Sequence, residues 1–145
     1  MATIKIDTGV KVFDIENERG ELLGQLKVNP SDLNFFTRAD KFKKNIQSWI
    51  DTINDIQNTE LTEDLILEKL DEYDTNIKRE VNELFDDPDA SKIVFGNQNV
   101  FNTYNGTSFI ERFLTAILPI IQNCLQEEAQ KSADRVNKYK GMVSE

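Results

Sequence analysis

The apolar pattern changes its period at Asn29-Pro30-Ser31-Asp32, and that change divides the chain into two kinds of structure. Before it, Ile4 and Ile6, then Val10, Val12, Phe13 and Ile15, then Leu22, Leu26 and Val28 place β-favouring side chains in a roughly two-residue rhythm. Asn17-Glu18-Arg19-Gly20 is the turn among them, because Gly20 takes the positive φ that such a loop requires. Residues 10–16 and 21–28 are therefore expected to pair as an antiparallel hairpin, with residues 4–7 as a third strand after Thr8-Gly9. An isolated hairpin is marginal in water, so its apolar face must pack on something else.

That partner is helical. Pro30 near a first helical position, flanked by Ser31 and Asp32 that can cap free N–H groups, starts a helix. Leu33, Phe35 and Phe36 follow, then Phe42, Ile46, Trp49, Ile53 and Ile56 recur every three or four residues, with Lys41, Lys43 and Lys44 on the flanks. This helix should end near Gln57-Asn58, and Trp49 reads as core. Leu61-Thr62-Glu63 opens the next, with Thr62 as N-cap, and Ile66, Leu70, Tyr73, Ile77, Val81 and Leu84 carry its stripe to Phe85. Asp86-Asp87-Pro88-Asp89 stops it, since proline removes a donor and pushes the residue before it out of the helical region. Ile93, Val94 and Phe95 then lead into Gly96-Asn97-Gln98-Asn99, a connector.

Thr107 or Ser108 begins the last helix, expected over residues 107–140. Residues 109–121 hold nine apolar side chains in thirteen, which implies burial on more than one face and a central position. Pro119 interrupts them, removing the hydrogen bond to the Thr115 carbonyl and predicting a kink. Past Cys124-Leu125 the pattern thins to Ala129, Ala133 and Val136, so the helix should leave the core. The fold expected is α+β, mostly α: an N-terminal antiparallel β-hairpin packed on a bundle of about three main helices, in one domain over residues 1–145.

Composition then narrows function. At 39% apolar, 145 residues supply one core and not two. Histidine is absent and Cys124 is the only thiol, which excludes histidine acid–base catalysis, histidine–metal ligation, a Cys/His pair and an intrachain disulfide. Asp86, Asp87 and Asp89 imitate the start of a calcium loop, but Pro88 interrupts it and neither the sixth-position Gly nor the twelfth-position Glu follows. Gly96 stands without a glycine-rich phosphate loop. Cys124, on a stripe with Ile120 and Ile121, reads as an inert filler. No catalytic residue, metal site or cofactor is expected. The opening residues alternate polar and apolar, so no signal peptide is visible and a reducing cytoplasm is the expected compartment, where Asn105-Gly106-Thr107 is a sequon by accident.

The formal net charge is −9, the wrong sign for displacing counterions from nucleic acid. Residues 60–89 carry 3 basic and 12 acidic side chains, whereas residues 1–59 carry 8 and 9, and residues 90–145 carry 6 and 5. One helix thus holds the imbalance. Asp64, Glu68 and Glu72 stand four residues apart opposite the apolar stripe, each like-charged pair costing about 0.2–0.5 kcal/mol, and no Lys or Arg at i+4 relieves them. Glu83, Asp86 and Asp87 crowd the end where the helix dipole is also negative. These six residues are the candidate surface for a basic protein partner; the alternative is a solvated face that confers solubility. The polar far half of the last helix is a second candidate surface, for another subunit or a client segment, the alternative being a frayed extension.

Several phrases carry a resemblance: Val28-Asn29-Pro30-Ser31-Asp32-Leu33-Asn34-Phe35 followed by Arg38, then Ile93-Val94-Phe95-Gly96-Asn97, then Phe109-Ile110-Glu111-Arg112-Phe113-Leu114 with Pro119, and Arg135-Val136-Asn137-Lys138-Tyr139. Over most of residues 25–140 their order resembles small proteins from the tail modules of siphophage-type bacteriophages and prophages, including tail assembly chaperones. The resemblance implies a helical, non-enzymatic factor in the cytoplasm of the infected cell. Such a factor binds the tape-measure protein, keeps that long helical client soluble, and helps recruit tail-tube subunits around it. It brings no residue-level active site, and the hairpin and acidic helix match nothing in it. A structural tail-completion or connector subunit retained in the virion is the alternative within the same modules, and a cellular protein-binding adaptor is a third reading.

Overall fold

A computed structural model describes residues 1–57 and 62–143 of the chain. Two strands, β1 (Lys11–Glu16) and β2 (Leu22–Val28), precede the helices α1 (Leu33–Gln57) and α2 (Glu63–Phe85). A short helix α3 (Ala90–Phe95), a two-residue pair β3 (Thr103–Tyr104) and β4 (Thr107–Ser108), and the long α4 (Phe109–Val143) complete the order. The chain is α+β and mostly helical, with the antiparallel hairpin the sequence predicts. The Ile56 side chain, Asn58 and Leu61 lie outside the described residues, as does the side chain of Tyr139.

The hairpin turns on Asn17. Its Oδ1 accepts the backbone N–H groups of Arg19 and Glu21 at 2.9 and 3.0 Å, and Gly20 takes φ 76°. The ladder runs from Lys11 opposite Val28 to Ile15 opposite Gly24, and a bulge leaves Glu16 opposite Leu22. Phe13, Ile15, Leu26 and Val28 therefore face inward. Residues 4–7 do not form a third strand: Ile4 and Ile6 are 85% and 78% exposed. At their root Gly9 takes φ 77° and its N–H donates to Asp7 Oδ1, and the Thr8 carbonyl accepts from Asn29 Nδ2, so these groups are paired locally and not in a ladder with β1.

Pro30 is buried in the turn before α1 and is not its first residue; Asp32 makes the cap, its Oδ1 accepting from Asn34 N at 2.9 Å. α1 and α2 form an antiparallel pair. Asn45 Nδ2 donates to Glu80 Oε1, Arg38 Nε donates to the Leu84 carbonyl, and Trp49 meets Tyr73 edge-on at 4.7 Å. Trp49 is half-buried at the margin of the core and not within it. Thr62 caps α2 as expected, accepting from Leu65 N. Ile93, Val94 and Phe95, expected to lead into a connector, belong to the helix α3. Its Ala90, Val94 and Phe95 enter the core while Ile93 packs on Gly24 of β2.

Thr107 and Ser108 are strand, not helix, in a small hairpin turned by Asn105 and Gly106 at φ 52° and 81°. Ser108 also closes a reciprocal cap with Glu111: Glu111 N donates to Ser108 Oγ, and Ser108 N donates to Glu111 Oε2. Arg112 donates to the Tyr104 and Thr107 carbonyls and lies over the Tyr104 and Phe109 rings, tying this hairpin to α4. In α4 Ile110, Phe113, Ile117, Ile121 and Cys124 are buried, and Phe109, Leu114 and Leu118 are half-buried against the core beside them, whereas Ala116, Pro119 and Ile120 are exposed. The apolar surplus of 109–121 thus widens the buried face and leaves Ala116 and Ile120 outside it. The helix runs on through Pro119.

One contiguous apolar cluster gathers Leu26 and Val28 of β2, Phe35, Phe42 and Ile46 of α1, Ile77, Val81 and Leu84 of α2, Phe95, Val100, and the α4 stripe. Among the described residues no helix is long and apolar enough to cross a membrane.

Candidate functional site

α2 rises from a narrow stripe, so most of its circumference is free for polar residues. Asp64, Glu68 and Glu72 are all exposed along its outer side, spanning about 12 Å at 1.5 Å per residue. Glu83, also exposed, comes eleven residues after Glu72, three near-whole turns, and returns to the same side. The four carboxylates thus share one ladder. Arg79 is exposed on that side too, with no ion pair among the described residues.

The two ion pairs made by α2 acids are internal to the helix. Lys69 Nζ approaches Glu72 Oε2 at 3.4 Å, three residues away, and Lys78 Nζ approaches Asp74 Oδ2 at 3.1 Å. Among the described residues no lysine or arginine from another element neutralises Asp64, Glu68, Glu72 or Glu83. Arg38 reaches the end of α2, but it donates to the Leu84 carbonyl and pairs with Asp32 at 3.9 Å. The α2 C-terminus therefore gains a cation, supplied from α1, as its dipole requires.

Asp86 and Asp87 are not part of the ladder. Asp86 ends α2 in the left-handed conformation at φ 50°, its N–H on the Asn82 and Glu83 carbonyls. Asp87 is half-buried and its Oδ1 accepts from Asp89 N at 2.9 Å, shaping the corner into α3. Asp86 follows α2 directly, and Asp87 lies two residues after its end and three before the start of α3, where negative charge is favoured. Among the described residues no cluster of three or more Asp, Glu or Cys could hold a metal ion.

Two further acids of α2 are structural. Asp74 is buried, and its Oδ1 accepts the buried Val100 N–H at 2.7 Å, pinning the loop before β3 to α2. Glu80, also buried, holds Asn45 of α1. The signal was present: Asp74 and Glu80 fall at three- and four-residue steps from Ile77 and Leu84, in phase with the apolar stripe.

The second candidate surface is the far part of α4. From Ala129 to Lys138 every side chain is exposed, and Lys131, Arg135 and Lys138 make no ion pair among the described residues. Among the described residues, the ion pair from α4 to the body nearest this part is Lys11 Nζ of β1 on Glu127 Oε2 at 3.3 Å. Compared with known protein families, curated proteins and solved structures, the chain gives no match.

Proposed function

We propose that this protein is a non-catalytic binding factor of the phage tail assembly chaperone type, acting in the cytoplasm of the infected cell on a long helical client such as a tape-measure protein. The carrying observation is the exposed ladder of Asp64, Glu68, Glu72 and Glu83, whose charge no other element of the chain neutralises among the described residues. Repulsion along the ladder costs a few tenths of a kcal/mol per pair, which a basic client would convert into attraction. The projecting part of α4 supplies a second, helix-shaped surface for the same client. The resemblance in residues 25–140 supports this reading over a cellular adaptor.

The test is reversal of Asp64, Glu68 and Glu72 to Lys. These side chains are exposed, so the circular dichroism spectrum and unfolding midpoint should stay close to wild type, while capture of the client falls at least tenfold. Wild-type capture should weaken steeply between about 50 and 300 mM salt, as steering by exposed charges does. Full-strength capture by the reversed variant would refute the ladder's role. Mass spectrometry of purified particles separates this reading from a retained tail-completion or connector subunit, since a chaperone should be missing from them.

A further inference from the structure

We propose that residues 3–7 of one copy add a strand to the free edge of β1 in a second copy, so that two chains exchange these segments across a twofold axis. Among the described residues the β1–β2 sheet has two strands, and the outer edge of β1 carries no ladder partner. Burial across the sheet is lopsided. On its core-facing side Leu26 and Val28 of β2 are fully buried, while Phe13 and Ile15 of β1 are only half-buried. Phe13 and Ile15 pack against the core and keep part of their apolar surface exposed.

The segment 3–7 has the composition of that strand: Ile4 and Ile6 alternate with Thr3, Lys5 and Asp7, and both isoleucines stand in solvent. Facing residues of an antiparallel pair point to the same side of a sheet, so Ile4 opposite Ile15 and Ile6 opposite Phe13 covers that exposed apolar surface. The same register sets Lys5 opposite Asp14 on the outer side, joining unlike charges, and keeps Asp7 beside Val12. The parallel alternative sets Asp7 beside Glu16, and a one-residue slip turns both isoleucines outward.

Pairing within one chain would need a tight reversal at Gly9-Val10. Residues 4–7 carry no such ladder with their own β1, and the Thr8 carbonyl at their root accepts from Asn29 Nδ2 beyond the end of β2. In a reciprocal exchange both segments and both β1 edges are used, so the assembly closes as a dimer.

The full chain is examined by sedimentation velocity over a wide concentration range, beside the variant Ile4→Asp with Ile6→Asp. Wild type should reach twice the monomer mass and the variant should stay at monomer mass, with an unchanged circular dichroism spectrum. In parallel, chains carrying Lys5→Cys are mixed with differently tagged chains carrying Asp14→Cys and oxidised; a disulfide between the two tags is expected. A wild type that stays monomeric, or a dimer that survives the double variant, overturns the proposal. So does the absence of the mixed disulfide, or its formation within single chains when both cysteines are placed in one.

Discussion

Asp74 shows how one side chain can serve a purpose opposite to that of its neighbours. It belongs to the most acidic stretch of the chain, yet it is buried and spends one oxygen on the Val100 N–H and the other on Lys78. Removing an acceptor from a buried donor costs about 1–3 kcal/mol. Asp74→Ala should therefore lower stability by roughly that amount in urea unfolding, and Asp74→Asn, which can still accept from Val100, by less. Gly24 is constrained by proximity: a Cβ there would stand 2.8 Å from Ile93 Cγ2 and 3.0 Å from Cγ1, and a branched side chain on a helix has little room to yield. Gly24→Ala should cost about 1–3 kcal/mol by overpacking, and the pair Gly24→Ala with Ile93→Ala should recover part of it in a double-mutant cycle. Neither role is legible from residue type alone. Asp74 betrayed itself by phase; Gly24 did not, because the contact joins residues 69 positions apart.

At the scale of elements, local rules and packing divided the decisions. The hairpin and α2 follow their patterns closely, since Asn17-Gly20 turn chemistry and the Thr62 cap are made by residues adjacent in sequence. α3 could not be read this way: six residues are below the length at which a helix holds itself together, and Ala90, Val94 and Phe95 are helical because the core receives them. α4 begins at Phe109 because Ser108 and Glu111 cap each other, a pattern written in the sequence as Ser-x-x-Glu. Its Pro119 is exposed and leaves the Thr115 carbonyl without its usual donor. Pro119→Ala should restore that bond and raise stability by about 1–3 kcal/mol, seen as a higher unfolding midpoint. If the midpoint rises and client capture is unchanged, the proline has no part in partner contact.

Over the whole molecule, charge and burial are laid out in opposite directions. The core draws on β1, β2, α1, α2, α3 and the first half of α4, and the outer side of α2 and the far part of α4 stand outside it. Ending the chain after Glu128 should leave the unfolding midpoint within about 2 °C of wild type, because no side chain from 129 to 138 is buried. Client capture should fall in the same variant. Periodicity, turn residues and caps, all properties of neighbours along the chain, were enough to determine the hairpin, the three long helices and the acidic character of the second. Tertiary structure alone decided which acids of that helix face inward, that residues 90–95 are helical, and that residues 4–7 do not pair with their own hairpin. Each of those outcomes is set by a contact between distant segments, and local pattern carries no information about which distant segment arrives.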